Sequence, residues 1–301
     1  MGNLRTAILA WAWARGTDRR FVMRMEDIDR VRSGSAERQL ADLRAIGLDW
    51  DGDVLVQTTR DAEHARAVRD LVERDLAFEC YCSRKEIREA SSAPHVTPGF
   101  YPGMCLNLTD AERASRRAEL AAQGRRPALR LRAPEPEWTV RDELHGSVTG
   151  PVDHFVIQRA DGVPAYNLAV VLDDGFQGID QVVRGDDLLS QAPGQAELAS
   201  LLGIRQPTYV HVPLAVRAGD GARLAKRDGA VTLEDLRAIG WSTGDVVEWI
   251  GDSLGISGAR TAGDLIQAPE LMLAAAPDDA LRQPWVVTPP EQGPQPGRTS
   301  R

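Results

Sequence analysis

At 301 residues, with 43% hydrophobic and 27% charged side chains, the chain is long enough to bury one large domain or two modest ones. Its formal charge of -8, from 36 Lys and Arg against 44 Asp and Glu, gives no general electrostatic reason to bind nucleic acid, so a polynucleotide partner must meet a local basic face. No apolar run approaches the roughly 20 residues needed to cross a bilayer and no basic stretch followed by an apolar core marks a secretory signal, so a cytoplasmic protein with no membrane partner is the default expectation.

Leu4, Ala7, Ile8 and Trp11 recur at helical spacing and Gly16 can end the turn, after which Phe21-Val22-Met23 suits a buried strand. Ser35 can cap a second helix with Leu40, Leu43 and Ile46 on its apolar side, and Val68, Leu71, Val72 and Leu76 mark a third. Between Ser91 and Pro136 the pattern loosens around Pro94, Pro98, Gly99, Pro102 and Gly103, then a charged helical stretch runs from Asp110 to Gln123; this reads as an inserted subdomain. Extended signals return from Val152 to Gln158, followed by an Asp161-Gly162 turn, a strand at Ile179 to Val183, a helix ending near Gly203 and a strand around Tyr209 to Leu214. Strands on both sides of an insertion point to one split parallel sheet. The Pro-, Gly- and Gln-rich tail from Thr288 reads as disordered.

Four constellations can carry chemistry. Arg24-Met25-Glu26-Asp27-Ile28-Asp29-Arg30 sets acidic side chains just after a strand, where open α/β sheets bind ligands; Glu26 can hold an ammonium group, although a solvated charged loop is the simpler reading of these residues alone. In Val183-Arg184-Gly185-Asp186-Asp187, Arg184 can grip a carboxylate and Gly185 admits a ligand close to the backbone, with a salt bridge at a strand end as the plain alternative. Arg223-Leu224-Ala225-Lys226-Arg227 beside Gly219 and Gly221 suits a loop closing over a polyphosphate, or is only a basic loop; no Walker-type motif is present. The chain's three cysteines, Cys80, Cys82 and Cys105, are an odd number in a cytosolic setting, which disfavours a disulfide; zinc is favoured over three buried free thiols, and by spacing alone His95 is the fourth ligand.

Together these strings resemble one family. Gly2-Asn3-Leu4-Arg5-Thr6-Ala7, the Arg-x-Glu-Asp-x-Asp run from Arg24, Ser33-Gly34-Ser35-Ala36-Glu37-Arg38-Gln39, Tyr166-Asn167, Arg184-Gly185-Asp186-Asp187 and the loop at 223–227 are similar to the glutamyl-Q tRNA(Asp) synthetases, in order and spacing from residue 2 to about Val287. The resemblance implies an α/β, Rossmann-like class I synthetase catalytic domain with an inserted zinc-containing subdomain and a short helical C-terminal part. Its expected divisions are 1–77 and 149–220 for the two catalytic halves, 78–148 for the zinc subdomain, 221–287 for the K-M-S-K-S-like loop and helical region, and 288–301 for the tail.

The implied reaction forms glutamyl-adenylate from L-glutamate and ATP, with Mg²⁺, and passes the glutamyl group to queuosine at the wobble position of tRNA(Asp). By resemblance, Glu26, Tyr166 and Arg184 line the glutamate pocket, Gly2, Asn3 and Lys226 contact ATP with Lys226 acting in catalysis, and Tyr101 replaces His95 as fourth ligand of one structural zinc beside Cys80, Cys82 and Cys105. Arg223 and Ala225 stand where the family's loop has lysine and serine, which weakens the loop's phosphate contacts. A monomer is expected. Two rival readings are a glutamyl-tRNA synthetase-like catalytic fragment and a non-catalytic tRNA-binding relic. The relic reading arises because the family opens with an R-F-A-P-S-P-T-G strand and H-x-G-N, of which only Gly2 and Asn3 are present; a chain starting at Met1 is expected to show little glutamate activation, and the natural start to lie upstream.

Other signals have plainer readings. Trp11 fits core packing, the scattered histidines His64, His95, His145, His154 and His211 fit surface or core positions, and Arg113, Arg116, Arg117, Arg125, Arg126, Arg130 and Arg132 can face an RNA backbone or simply solvent.

Overall fold

The apolar spacing from Leu4 to Trp11 forms helix α1 (Gly2–Gly16) in the computed structural model of the chain, which describes residues 1–28, 34–91, 100–219, 221, 232–266, 281, 283–288 and 290. Ile8, Leu9, Trp11 and Trp13 are all buried in one core, so both tryptophans of this helix serve packing. The next strand is shorter and later than its apolar run: β1 is Arg24–Met25, paired in parallel with β2 (Leu55–Val56). The Phe21 and Met23 carbonyls accept from the Asp51 and Leu55 amides, at 2.7 and 3.0 Å, but the Phe21 amide donates to the Asp51 side chain at 2.7 Å rather than to a strand backbone, so no ladder forms there.

Helix α2 (Ser35–Ala45) begins at Ser35 rather than being capped by it. Gly34 is the cap, at φ +73°, a left-handed turn that glycine adopts without a Cβ penalty. Helix α3 (Asp61–Glu73) buries Val68 and Leu71 together with His64, while Val72, one residue and about 100° further round, is 46% exposed. Beyond it come β3 (Ala77–Cys80), α4 (Arg84–Ala90), α5 (Asp110–Ala122), β4 (Ala128–Leu131), β5 (Glu137–Asp142), β6 (Gly146–Pro151) and β7 (Val156–Gln158). Ser83 and Thr109 make capping boxes with Glu86 and Glu112, which explains where α4 and α5 start. After the Asp161-Gly162 turn, α6 (Tyr166–Gln177) leads to β8 (Gln181–Gly185), α7 (Ala192–Leu201), β9 (Thr208–Val212) and β10 (Ala215–Arg217). Short helices α8 (Leu233–Ala238), α9 (Thr243–Asp252) and α10 (Ala262–Ile266) follow, and β11 (Trp285–Val287) returns beside β10. The expected disordered tail lies, Thr288 and Pro290 apart, outside the described residues.

The single split sheet expected from sequence is not formed among the described residues. The parallel pair β1-β2 stands apart from a mixed sheet ordered β6-β5-β9-β8, and β3-β4-β7 make a third, antiparallel sheet. The β5-β6 ribbon, most of which falls in the stretch 78–148 expected as an insertion, is tied to β9 by parallel pairing of Asp142 with Tyr209. Helix α1 packs beneath this arrangement with Val210 and Val212 of β9 and with Leu233, Ile250 and Leu265 of the C-terminal helices. Elsewhere a fully buried Asp173 of α6 accepts from Gln57 Nε2 (2.8 Å), Arg60 Nε (2.7 Å) and His64 Nε2 (2.9 Å), so the segment before α3 and α3 itself are bound to α6.

Within α9, a Cβ at Gly251 would stand 2.7 Å from the carbonyl oxygen of Ile256 and 3.3 Å from Leu265 Cδ2. Gly251→Ala is therefore expected to destabilise the protein by about 1–3 kcal/mol despite alanine's better helix propensity, because backbone must move to admit the methyl. Urea unfolding of the two proteins checks this; an equal or higher midpoint for the variant refutes it.

Candidate functional site

Ligands of open α/β sheets bind beyond the carboxyl ends of parallel strands, where the loops part. Here those ends are Glu26, just after β1, and Arg184-Gly185, closing β8. The two strands border a cleft of about 570 Å³, lined by Phe21, Val22 and Arg24 on one side and Gln181, Val182 and Val183 on the other. Glu26 and Asp174 reach the same cleft.

Arg24 is anchored to the last turns of α6, donating through Nη1 to Asp174 Oδ1 at 2.8 Å and Gln177 Oε1 at 2.9 Å. Its bonds to Glu26 are longer, 3.3 Å, and the Glu26 side chain is 40% exposed, so this carboxylate keeps capacity for another cation. Burial pushes the Asp174 carboxyl up, against the pull of Arg24 and Arg184. Tyr166 opens α6 with its ring partly exposed; burial pushes its hydroxyl up, and the charges of Arg184, Glu26, Asp174 and Arg24 all act on it. Tyr166 is thus within electrostatic reach of both Glu26 and Arg184, which are more than 150 positions apart in sequence.

Arg184 is held from behind. Its Nη1 donates to Gln195 Oε1 at 2.7 Å, its Nη2 to the Leu188 carbonyl at 3.4 Å and its Nε to His211 Nε2 at 3.0 Å. Gln195 in turn donates to Asn167 Oδ1 at 2.9 Å, linking α7 to the start of α6. A guanidinium carries five N–H donors in a rigid fork, so these bonds leave others for a carboxylate. Gly185 has a reason internal to the protein: a Cβ there would lie 2.7 Å from Asp187 Oδ1 and 2.8 Å from Leu214 Cδ2.

Gly2 and Asn3 occupy the first turn of α1, which has neither an acidic residue nor a side-chain cap, and Gly2 faces Ala215 of β10. Free amides at a helix start suit phosphate oxygens. The loop bearing Arg223, Ala225, Lys226 and Arg227 lies outside the described residues, as do Asp29 and His95. Of the arginines proposed for a basic face, Arg117 pairs with Glu79 at 2.7 Å, Arg116 with Glu119 at 3.5 Å, and Arg113 binds the Leu108 carbonyl, which favours a solvated, self-paired face.

The second site is the cysteine cluster. Cys80 closes β3, Cys82 follows it, and Cys105 arrives from the far side of the insertion; their Sγ atoms all lie within 4.8 Å of one another. Cys82 and Cys105 Sγ are 3.4 Å apart, and the Tyr101 hydroxyl is 3.6 Å from Cys80 Sγ and 3.8 Å from Cys82 Sγ. Zinc bound tetrahedrally at about 2.3 Å to sulfur and 2.0 Å to oxygen requires edges of about 3.8 Å and 3.5 Å, so this donor set fits the ion. The Cys105 amide donates to the Tyr101 oxygen at 2.8 Å and the Arg130 guanidinium lies 3.9 Å from the Tyr101 ring centroid. Sulfur hydrogen bonds from Cys105 and then Cys82, with Arg130 nearby, hold the Cys80 thiol far below its ordinary range.

Sequence reading missed Asp174, Gln177, Gln195 and the role of His211. The one available signal was an Asp173-Asp174 pair directly after the apolar run Leu168 to Leu172, a costly placement unless both carboxylates find partners.

A family model described as tRNA synthetases class I (E and Q), catalytic domain, matches residues 1–259, which defines the class. The crystal structure of a glutamate-tRNA synthetase from Elizabethkingia anophelis shares the fold, with a TM-score of 0.72 at 19% identity, over 88% of this chain and 62% of that one. A protein of Nocardia farcinica named glutamyl-Q tRNA(Asp) synthetase is 53% identical over 96% of this chain and 89% of its own, and one of that name from Cutibacterium acnes is 45% identical over 88% and 75%. The chain belongs to the glutamyl-Q tRNA(Asp) synthetases, a family of ligases. None of its described helices is long and apolar enough to cross a membrane.

Proposed function

We propose that the natural protein activates L-glutamate with ATP and transfers the glutamyl group to queuosine at the wobble position of tRNA(Asp). The placement of Tyr166 where the charges of both Glu26 and Arg184 act on it carries this reading, supported by the name its relatives bear. An α-ammonium suits the half-exposed Glu26 carboxylate, and a carboxylate suits the free N–H groups of Arg184. A carboxylate oxygen of glutamate attacks the α-phosphorus of ATP and pyrophosphate leaves; the queuosine cyclopentene hydroxyl then attacks the acyl carbon, loses its proton and displaces AMP. Gly2, Asn3 and Lys226 would hold the phosphates, with Mg²⁺ offsetting their charge. One zinc on Cys80, Cys82, Tyr101 and Cys105 fills all four positions of a tetrahedron and so supports fold rather than chemistry. We read the working form as a cytoplasmic monomer; sedimentation at the chain mass of 32.9 kDa checks its state.

Glutamate-dependent ATP–pyrophosphate exchange tests the first step, and transfer of labelled glutamate to tRNA(Asp) with and without queuosine tests the second. Label confined to the queuosine-bearing RNA and released with the modified nucleoside is expected. Label on the 3′-terminal adenosine of tRNA(Glu) overturns the reading in favour of a glutamyl-tRNA synthetase-like activity.

A further inference from the structure

The parallel ladder of β8 and β9 sets Arg184 opposite His211 and Val182 opposite Tyr209. Residues in register across a sheet, and those two positions apart along a strand, project to one face. Arg184 Nε accordingly meets His211 Nε2 at 3.0 Å, and its guanidinium lies 5.3 Å from the Tyr209 ring centroid. Arginine Nε can only donate. His211 Nε2 must therefore accept, which leaves the imidazole proton on Nδ1.

That Nδ1 lies 2.7 Å from Asp142 Oδ2. Asp142 is itself fixed: Oδ2 also accepts the His211 amide at 3.0 Å, and Oδ1 accepts the Leu144 and His145 amides, each at 2.9 Å. Every contact Asp142 makes in this set is with a donor, so the carboxylate needs no proton of its own. Both residues are buried, at 2% exposure for Asp142 and 0% for His211. Burial lowers the pKa of His211, Asp142 opposes that and Arg184 adds to it, in keeping with the neutral ring.

We propose that Asp142 and His211 are positioning residues for Arg184, the buried pair presenting an unprotonated Nε2 that turns the free N–H groups of the guanidinium toward the substrate carboxylate. This rests on the reading of Arg184 as the arginine that holds glutamate. Simple core packing would require only the volume of an imidazole; positioning requires an acceptor at the place of Nε2.

Two variants separate these. In His211→Gln the side-chain oxygen can stand where Nε2 stood and accept from Arg184, whereas in His211→Asn the amide can keep the Asp142 bond but ends too short for Arg184. Glutamate affinity by calorimetry is expected to fall about 10- to 100-fold in His211→Asn, the loss of one charge-assisted hydrogen bond, and to stay within about threefold in His211→Gln. Arg184→Ala is measured beside them. Parent-like binding by His211→Asn, or equal losses in both His211 variants, overturns the positioning role while leaving the glutamate reading intact if Arg184→Ala loses binding. Parent-like binding by Arg184→Ala, or no glutamate binding by the parent, overturns the glutamate reading and this inference with it. Nitrogen-15 NMR of the parent protein's imidazoles gives a check that needs neither variant nor glutamate: the Nδ1-protonated neutral form of His211 is expected, and the Nε2-protonated form refutes the proposal.

Discussion

Protein purified without chelator is expected to carry one zinc per chain and, once the metal is stripped, to lose folded structure around β3, α4 and α5. The core there is small, built on Phe78, Cys80, Tyr81, Tyr101, Cys105 and Leu120, so apolar burial alone supplies little stability and the sulfur cluster sits inside it. Structural zinc sites contribute apparent binding energies of about 10–16 kcal/mol in small domains, and that binding is largely folding energy. Cys105→Ser should therefore release zinc and lower the melting temperature, with a smaller effect on glutamate affinity, because the cleft between β1 and β8 is lined by none of the cluster residues. Tyr101→Phe should weaken zinc binding too, since it removes the oxygen that lies 3.6 Å from Cys80 Sγ and accepts the Cys105 amide. Elemental analysis without zinc would refute the site. Full zinc in Tyr101→Phe alongside its loss in Cys105→Ser would transfer the fourth position to His95.

Arg184→Ala is expected to weaken glutamate binding by about 2–5 kcal/mol, on the order of 30-fold to a few thousand-fold, whereas Arg205→Ala should change it less than about threefold. The contrast follows from surroundings. Arg184 is ordered by Gln195, Leu188 and His211 and lies over Tyr209, so little rotamer entropy is lost on gripping a carboxylate. Arg205 is exposed beyond the end of α7, where water screens its charge. Calorimetric titration of both variants with glutamate decides it; equal affinities would remove Arg184 from the pocket.

What the residues alone determined was local. Apolar spacing in α1 and α3, the capping boxes at Ser83 and Thr109, the turn at Asp161-Gly162 and the strings around Glu26, Tyr166, Arg184 and the cysteines all act over a few positions, where covalent geometry and side-chain type set the outcome. Those strings also sufficed to place the chain in its family. Tertiary structure decided the partners. Arg184 bonds His211 at a separation of 27 residues, His211 bonds Asp142 at 69 and Arg60 bonds Asp173 at 113, and each distance is closed only by strand register or helix packing. It also decided that β1-β2 and β8-β9 form separate parallel pairs bordering a cleft, and that β5-β6 joins β9. Hydrophobic periodicity says which face of an element is buried; it carries no information about which polar groups meet there, because a donor's acceptor is chosen by the fold that brings the two together.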